Sequence, residues 1–285
     1  MKLARYDAGQ GPRAGLVIDD TVADLTDAGF ADVLAIVRGG DAALAAVAAA
    51  VDTAPRARLA DVRLLAPISR PGKYLAIGMN YAKHLDEADK LGVARSGHQT
   101  WFNKQTTCIA GPFDPIVKPA VSDQVDYEVE LGVVIGRAAK HVAAPEAASH
   151  VFGYFVANDV SVRDWQFHSP TFTMGKSFDT HGPTGPWIVT ADEIADCHAL
   201  DLKCWVNGEL RQSSNTAKML ADVHRQIEYL STAFTLEPGD MIATGTPEGV
   251  GVAMDPPAFL KIGDVVRCEV EGVGAIENVV AAEER

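Results

Sequence analysis

Two acidic residues, Glu128 and Glu130, alternate along an apolar segment and could together hold a metal ion. Residues two apart in a β-strand project from the same face. Two carboxylates about 4 Å apart repel by roughly 4 kcal/mol at an effective dielectric constant near 20, and a cation between them removes that cost. Oxygen-only ligands favour Mg²⁺, Mn²⁺ or Ca²⁺ over zinc. An ordinary strand with a solvated acidic face is the alternative, although the valine-rich continuation to Ile135 favours burial.

A third acidic residue, Asp159, follows a second apolar segment, 152–157. At the end of a buried strand it could complete the ligand set. It could also cap the helical turn that we predict over 161–166, which is the commoner use of Asp at such a position. Ser161 offers the same capping alternative.

Arg163 and Gln166 are three residues apart in that turn and therefore share a face. They could grip a substrate carboxylate, the arginine through a forked pair of hydrogen bonds. The alternative for Arg163 is a surface ion pair with Asp164 or another acid.

His84 and Glu87 occupy one face of a helix that we predict from an Asn80 N-cap to about Lys90. A carboxylate beside an imidazole orients the ring and raises its basicity, as a general base requires. Exposed His–Glu pairs are common on helices, so the pair alone does not establish catalysis.

Two glycine-containing segments complete the set of candidate residues. The first, 244–251, contains Thr246 and could present backbone N–H groups and hydroxyls to an anion. It is not a phosphate-binding P-loop, because no Gly-Lys-Ser/Thr follows. The second, 175–180, contains Lys176. A strand-connecting turn and a surface lysine are the plainer alternatives.

The N-terminal residues 1–65 predict a small α/β unit that carries none of these motifs. A hairpin is expected before Asp19-Asp20, and two helical segments, 30–38 and 41–51, are separated by Gly39-Gly40. A linker over 55–58 and a strand over 62–65 close the unit.

Residues 66–285 have a strand-rich pattern with scattered helices. Residues 91–103 predict a loop or lid, and one long helical pattern lies around 217–234. The predicted strands are 74–77, 128–135, 151–157, 187–190, 202–206, 241–243 and 265–270. The order lacks strand–helix alternation, so we predict an α+β class rather than a doubly wound fold.

The composition excludes several classes of protein. A formal net charge of −13 over 285 residues argues against nucleic-acid binding, and an anionic substrate would need a local cation. The four cysteines form no CxxC pair, so we expect reduced thiols and no structural zinc site. The N-terminus lacks a signal-like stretch, and the apolar run 42–51 is too short to span a bilayer. We therefore expect a cytoplasmic protein without a membrane partner.

Together the segments resemble the fumarylacetoacetate hydrolase family from about residue 71 to 280. Each motif is weak alone, but their order and joint presence are specific. The motifs are Ile77-Gly78-Met79-Asn80-Tyr81 with His84 and Glu87, Asp126-Tyr127-Glu128-Val129-Glu130-Leu131, Asn158-Asp159-Val160-Ser161 with Arg163, Asp164 and Gln166, Gly175-Lys176-Ser177-Phe178-Asp179-Thr180, and Thr244-Gly245-Thr246-Pro247-Glu248-Gly249-Val250-Gly251. The departures, Val162, Trp165 and 168–174, leave the substrate open.

The resemblance implies a mixed β-sandwich roll, usually a homodimer, with the catalytic dyad on a lid that orders over ligand. The metal ligands that it implies for Mg²⁺ or Mn²⁺ are Glu128, Glu130 and Asp159. The catalytic residues that it implies are His84 and Glu87, with Lys176 neutralising developing negative charge. The substrate-binding residues that it implies are Arg163, Gln166 and Thr246.

The expected substrate is a small 2-oxo acid. Similarity to the sugar-acid members suggests hydrolysis of the C3–C4 bond of a 2,4-dioxo acid, with 2,4-didehydro-3-deoxy-L-rhamnonate giving pyruvate and L-lactate. Other acylpyruvates are open. The alternatives are a decarboxylase or isomerase of oxaloacetate or a homoprotocatechuate-pathway intermediate, a ureidoglycolate lyase, and a non-catalytic protein that binds metal or 2-oxo acid. Pure binding needs no general base, so His84 and Glu87 argue against the last.

Overall fold

A computed structural model describes residues 1–90, 92 and 97–284, in which strands outnumber helices. The strands are β1 (Lys2–Asp7), β2 (Pro12–Ile18), β3 (Thr21–Asp24), β4 (Arg56–Arg58), β5 (Arg63–Leu65), β6 (Tyr74–Gly78), β7 (Thr100–Asn103), β8 (Ile109–Ala110), β9 (Ile116–Lys118), β10 (Val125–Asp126), β11 (Val129–Ile135), β12 (Val151–Asn158), β13 (Ser161–Val162), β14 (Gly182–Thr190), β15 (Asp201–Val206), β16 (Glu209–Asn215), β17 (Met241–Ala243), β18 (Val265–Val270) and β19 (Gly274–Ala282). The α-helices are α1 (Val33–Ala50), α2 (Ala82–Lys90), α3 (Arg163–Gln166) and α4 (Val223–Ala233). Short 3₁₀ helices cover Leu59–Asp61, Thr106–Cys108, Ala144–His150, Ala191–Glu193, Thr216–Lys218 and Gly251–Ala253. The predicted strand-rich α+β class is confirmed.

The described strands form one large mixed sheet and two smaller sheets. The large sheet has the order β4-β3-β2-β1-β14-β12-β11-β17-β6-β7, with β5 beside β1 and β8 beside β14. A five-stranded sheet has the order β16-β15-β18-β19-β9, and β10 pairs with β13. The main hydrophobic core lies between the two larger sheets and includes Leu131, Val133, Leu202 and Val266.

The N-terminal residues continue the large sheet, because β1 pairs antiparallel with β14. The predicted hairpin is confirmed, with Ile18 opposite Thr21 across the turn between β2 and β3. The predicted linker 55–58 is wrong over its last three residues, because Arg56–Arg58 forms β4 and pairs antiparallel with β3.

Helix α1 covers the face of the large sheet opposite the main core. By length and composition it could cross a membrane, but its apolar stripe packs against the sheet. The buried residues of this stripe are Val33, Ile36, Val37, Ala43 and Val47. They belong to a second core with Leu3, Phe155 and Ile188, which is typical of a core helix. The predicted break is also present, because Gly40 has a φ of 55° and a non-helical ψ of −140°.

Four neighbouring strands end or begin at the same edge of the large sheet. β11 runs antiparallel to β12, with Val129 opposite Asn158, and antiparallel to β17. β17 runs parallel to β6. The start of β11 therefore lies beside the carboxyl ends of β12, β17 and β6. The residues that leave these ends must meet at this edge.

Three local predictions are corrected by the structure. Asn80 does not cap α2, which begins two residues later. Its side chain accepts from Ala221 N–H and donates to the carbonyls of Ala221 and Thr244, all within 2.9 Å. Of the predicted loop 91–103, residues 91 and 93–96 lie outside the described residues, and Thr100–Asn103 forms β7 beside β6. The long helical pattern 217–234 is helical only from Val223 to Ala233, after a short 3₁₀ turn.

Candidate active site

Glu128, Glu130 and Asp159 come together at the shared strand edge. Each offers a carboxylate oxygen within 4.8 Å of the others, and all three side chains are buried. Strand parity places the first two on one face. The pairing of β11 with β12 places Asp159 next to them. Its N–H donates to the Glu128 carbonyl at 2.9 Å. The capping alternative does not apply, because Val162 precedes α3 and no side chain caps it.

Two buried lysines lie against these carboxylates. Lys176 Nζ is 2.8 Å from Glu128 Oε2 and 2.8 Å from Asp159 Oδ2. Lys104 Nζ donates to Asp159 Oδ1 and to the carbonyls of Lys176 and His181. Asp159 is thus paired on both oxygens, and Lys176 is not the surface lysine of the plainer alternative.

Arg163 is also buried, and its guanidinium group is bound by side chains of the protein itself. Its Nε donates to Asp126 Oδ2 at 2.8 Å, and its Nη1 is 2.7 Å from Glu128 Oε1. The same Nη1 donates to Gln166 Oε1 at 3.0 Å. The alternative surface pair with Asp164 is not formed, since Asp164 accepts from Ser122 instead.

The glycine-rich loop 244–251 uses its N–H groups on carboxylates of the chain itself. Gly245 N–H donates to Glu130 Oε2 at 2.7 Å, and Gly251 N–H donates to Asp126 Oδ1 at 2.8 Å. Gly245 has a φ of 99°, and a Cβ there would lie 2.7 Å from Asn80 Cβ, so glycine is required for this approach. The loop therefore fixes acidic side chains and does not present a free anion cradle.

The His84–Glu87 pair is formed at the mouth of the site. His84 Nδ1 lies 3.1 Å from Glu87 Oε2, and both side chains are half-buried. Gly249 N–H donates to Glu87 Oε1 at 2.9 Å, which anchors the glutamate to the loop after β17. A protonated Nδ1 directed at Glu87 leaves Nε2 as the basic nitrogen.

One cavity connects these groups. Seven of the nine residues implied by the family resemblance line it, whereas Glu130 and Asp159 lie next to Glu128 without lining it. The polar lining residues are His84, Glu87, Glu128, Arg163, Gln166, Lys176 and Thr246. Its apolar lining residues include Phe102, Phe167 and Phe172, and Lys176 Nζ lies over the Phe102 ring, 5.2 Å from its centroid. Thr246 Oγ1 donates to the Val129 carbonyl at 2.9 Å, which fixes its hydroxyl at the β11 edge.

The charges of this site fit a divalent cation. The four buried carboxylates Asp126, Glu128, Glu130 and Asp159 face three buried cations, Lys104, Arg163 and Lys176. Burial, and then the neighbouring Asp159 and Glu128, raise the pKa of Glu130 well above its ordinary value. Burial also opposes ionisation of Glu128, but Lys176 and Arg163 outweigh it and lower the pKa of Glu128 to about 2. An oxygen-ligated ion beside Glu130 would balance the excess negative charge.

Lys104 and Asp126 are the site residues that sequence reasoning missed. Lys104 follows β7 with no motif around it, so only the tertiary fold reveals its contact with Asp159. Asp126 stands two residues before Glu128 in the quoted motif. Its spacing repeats that of Glu128 and Glu130, and this signal could have found it.

Comparisons with known proteins agree with this arrangement. A family model described as fumarylacetoacetate (FAA) hydrolase C-terminal matches residues 73–281, and one described as Rv2993c-like, N-terminal, matches residues 1–67. A mitochondrial oxaloacetate tautomerase of Bos taurus is 47% identical over 244 residues, which are 85% of this chain and 77% of that protein.

Two solved structures are similar over essentially the whole chain. The maleylpyruvate hydrolase of Sphingobium sp. SYK-6, in complex with a manganese(II) ion and pyruvate, is 35% identical with a TM-score of 0.85 and covers 100% of both chains. The 5-carboxymethyl-2-hydroxymuconate delta-isomerase of Mycobacterium smegmatis is 36% identical with a TM-score of 0.79, covering 99% of this chain and 100% of that one. The cytoplasmic location, the homodimer and the division at residue 65 stay predictions.

Replacing Lys104 by methionine should strongly destabilise the fold, because Asp159 loses one of its two buried cationic partners. Breaking a buried ion pair costs about 3–5 kcal/mol. We expect the free energy of unfolding, measured by urea denaturation in chelator, to fall by about 3 kcal/mol. Lys83→Met, at a lysine whose side chain is 71% exposed, is the control and should change it by less than about 1 kcal/mol. Equal losses in the two variants would contradict this role of Lys104.

The pH dependence of stability should carry a contribution from His181. Its Nε2 donates to the Val117 carbonyl at 2.9 Å, and burial lowers its pKa from 6.5 to about 4. Between these values the unfolded chain binds a proton that the folded chain excludes, so stability rises with pH there and is lost as pH falls, by up to about 3 kcal/mol. In urea denaturation from pH 6.5 to 4.5, His181→Gln should show the shallower dependence. Identical slopes in wild type and variant would refute this contribution.

Proposed function

The chain belongs to the fumarylacetoacetate hydrolase family, and on that premise we propose that it is a divalent-metal enzyme that interconverts the keto and enol forms of oxaloacetate or a similar 2-oxo dicarboxylic acid. One observation carries the proposal. A single cavity is lined by His84, Glu87 and Glu128, and Glu128 belongs to a cluster of three buried carboxylates flanked by cations. Enolisation needs such a base together with stabilisation of the charge that develops on oxygen.

The relatives favour an isomerase over the expected sugar-acid hydrolase. The Bos taurus relative is named an oxaloacetate tautomerase and the Mycobacterium smegmatis structure a delta-isomerase. Both activities move a proton and break no carbon–carbon bond. Hydrolysis of the rhamnonate derivative therefore ranks behind the isomerase alternative.

The metal ligands in this proposal are Glu128, Glu130 and Asp159. A bound Mg²⁺ or Mn²⁺ would supply Lewis acidity at the 2-oxo acid end of the substrate. Lys176 adds positive charge on the same side, since its Nζ lies 2.8 Å from two of the three carboxylates. The metal ion and Lys176 would together offset the repulsion between the acidic protein and a dianionic substrate.

Gln166 is placed to donate to a substrate carboxylate. Its Oε1 accepts from Arg163, so the amide orientation is set and the NH₂ group is left to face other partners. Arg163 itself is held by Asp126 and Glu128. We therefore assign Arg163 the positioning of Gln166 and Glu128, with Gln166 and Thr246 making the direct contacts.

His84 moves the proton in this scheme. Glu87 fixes Nδ1–H, so Nε2 can take a proton from C3 of the keto acid as the C2–C3 double bond forms. The protonated Nε2 of His84 then gives this proton to the C2 oxygen, which completes the enol without loss of carbon and regenerates the base. The reverse sequence returns the keto form. Apolar lining residues such as Phe102 and Phe172 would limit the access of competing water to the carbanion.

The test is to follow oxaloacetate by proton NMR in D₂O with Mg²⁺ and by the ultraviolet absorbance of its enol. We expect the enzyme to accelerate keto–enol equilibration and C3 deuteration while total oxaloacetate stays constant, and we expect a chelator to abolish the effect. Release of pyruvate and CO₂ above the metal-only background would instead make it a decarboxylase and overturn the proposal.

Hydrolysis of an acylpyruvate is the second candidate, favoured by the maleylpyruvate hydrolase whose structure holds manganese(II) and pyruvate. In this case His84 would take its proton from water, hydroxide would attack C4, and the C3–C4 bond would break to give pyruvate and a second acid. A panel of 2,4-dioxo acids, including the rhamnonate derivative and with ureidoglycolate added, separates the candidates when pyruvate, urea and the second acid are assayed.

Replacing His84 by alanine should lower the rate of equilibration by about 10²- to 10⁴-fold, the usual contribution of a positioned general base. Lys83→Ala, at the preceding exposed position of α2, is the matched control and should keep at least half of the activity. Mn²⁺ affinity, measured by electron paramagnetic resonance, should be unchanged in both variants. A His84→Ala enzyme with normal turnover and normal Mn²⁺ binding would exclude this residue as the base.

A further inference from the structure

We propose a second metal site, separate from the carboxylate cluster, in which Cys197, His198 and His224 bind a zinc-type ion. The three side chains come from two segments. Cys197 and His198 lie in the turn before β15, and His224 is the second residue of α4. One ligand atom of each lies within 4.8 Å of the other two. None of the three lines the cavity of the proposed enzyme site.

One ring nitrogen of His198 is available to a metal. Asp196 Oδ1 accepts from the His198 backbone N–H at 2.8 Å and lies 3.6 Å from Nδ1, on the side of the ring away from Nε2. Its Nε2 is buried and has no hydrogen-bond partner among the described residues. A buried polar atom without a partner destabilises the fold by about 1–3 kcal/mol, and a metal bond would satisfy it.

The other two ligands are similarly arranged. The His198 and His224 rings meet edge to face, with centroids 4.6 Å apart and an interplanar angle of 83°. Cys197 is buried, and burial raises the pKa of its thiol, an effect that the neighbouring Tyr154 hydroxyl partly offsets. Ligand atoms of a tetrahedral zinc site are about 3.5 Å apart, so small side-chain rotations would close the triad.

The ligand chemistry distinguishes this site from the carboxylate cluster. One sulfur and two imidazole nitrogens suit Zn²⁺ or Co²⁺ and suit Mg²⁺ poorly, because Mg²⁺ prefers oxygen. Three protein ligands leave a fourth position for water. The sequence pattern predicted no zinc site because Cys197 and His224 are 27 positions apart and no CxxC pair exists.

Metal binding here would tie the turn before β15 to the start of α4. That helix start is already fixed on its other side, since Asp222 Oδ1 accepts from Arg225 N–H at 2.8 Å and Ala221 is bound to Asn80. Asn80 in turn precedes the helix that carries His84. The proposed ion therefore stabilises the support of the enzyme site without contacting substrate.

The test is a Co²⁺ titration of the full-length, metal-free protein, monitored by visible and near-ultraviolet absorption. The Glu130→Gln variant is the host, so that the carboxylate cluster is weakened. We expect one Co²⁺ per chain with a thiolate charge-transfer band and tetrahedral d–d bands, and we expect Zn²⁺ to displace it. A titration without the thiolate band would overturn the proposal.

Three variants in the same host make the assignment specific. Cys197→Ser should abolish the thiolate band, and His224→Gln should weaken Co²⁺ binding at least tenfold. Cys108→Ser, at another buried cysteine, is the matched control and should keep both the band and the affinity. Thermal unfolding checks that each variant is folded, and Zn²⁺ should raise the melting temperature of the host but not of Cys197→Ser. Equal Co²⁺ affinity in His224→Gln and the host would refute the site.

Discussion

Asp159 is buried between two lysines, and the rest of the enzyme site depends on this arrangement. Its two carboxylate oxygens are taken by Lys104 and Lys176. An unpaired carboxylate in such a place would destabilise the fold by several kcal/mol, because burial removes its charge from water. Burial, and then the neighbouring Asp159 and Glu128, raise the pKa of Glu130. The site is therefore prepared for one more cation.

The topology explains how charges so far apart in sequence share this edge. Asp159 leaves β12 and Glu128 enters β11, and antiparallel pairing brings these opposite strand ends together. The parallel pairing of β17 with β6 then adds two further carboxyl ends. One end supplies the glycine loop that binds Glu130 and Glu87, and the other leads to the helix of His84. The base and the acidic cluster thus share a single rigid support.

Sequence patterns predicted the parts of the site whose spacing is local. The period of a strand predicted that Glu128 and Glu130 share a face, and the period of a helix predicted the contact of His84 with Glu87. Lys104 was not predictable in this way, because its partner Asp159 is 55 residues away and the contact exists only after β7 joins β6. Tertiary hydrogen bonding likewise overrode local propensity at Asn80, which holds the Ala221 segment and caps no helix.

The character of the cavity walls bears on the choice between isomerase and hydrolase. Both reactions need the same acidic cluster and base, but a hydrolase must also admit and orient a water molecule. Phe102, Phe167 and Phe172 line the cavity together with the polar groups. Phe102 and Phe172 contact each other edge to face, as do Phe167 and Phe172. These rings offer a water molecule no hydrogen bonds, so a hydrolytic water would have to be held by polar lining residues such as His84. In the proposed enolisation the same polar residues would contact the substrate itself, and the rings would flank the carbanion.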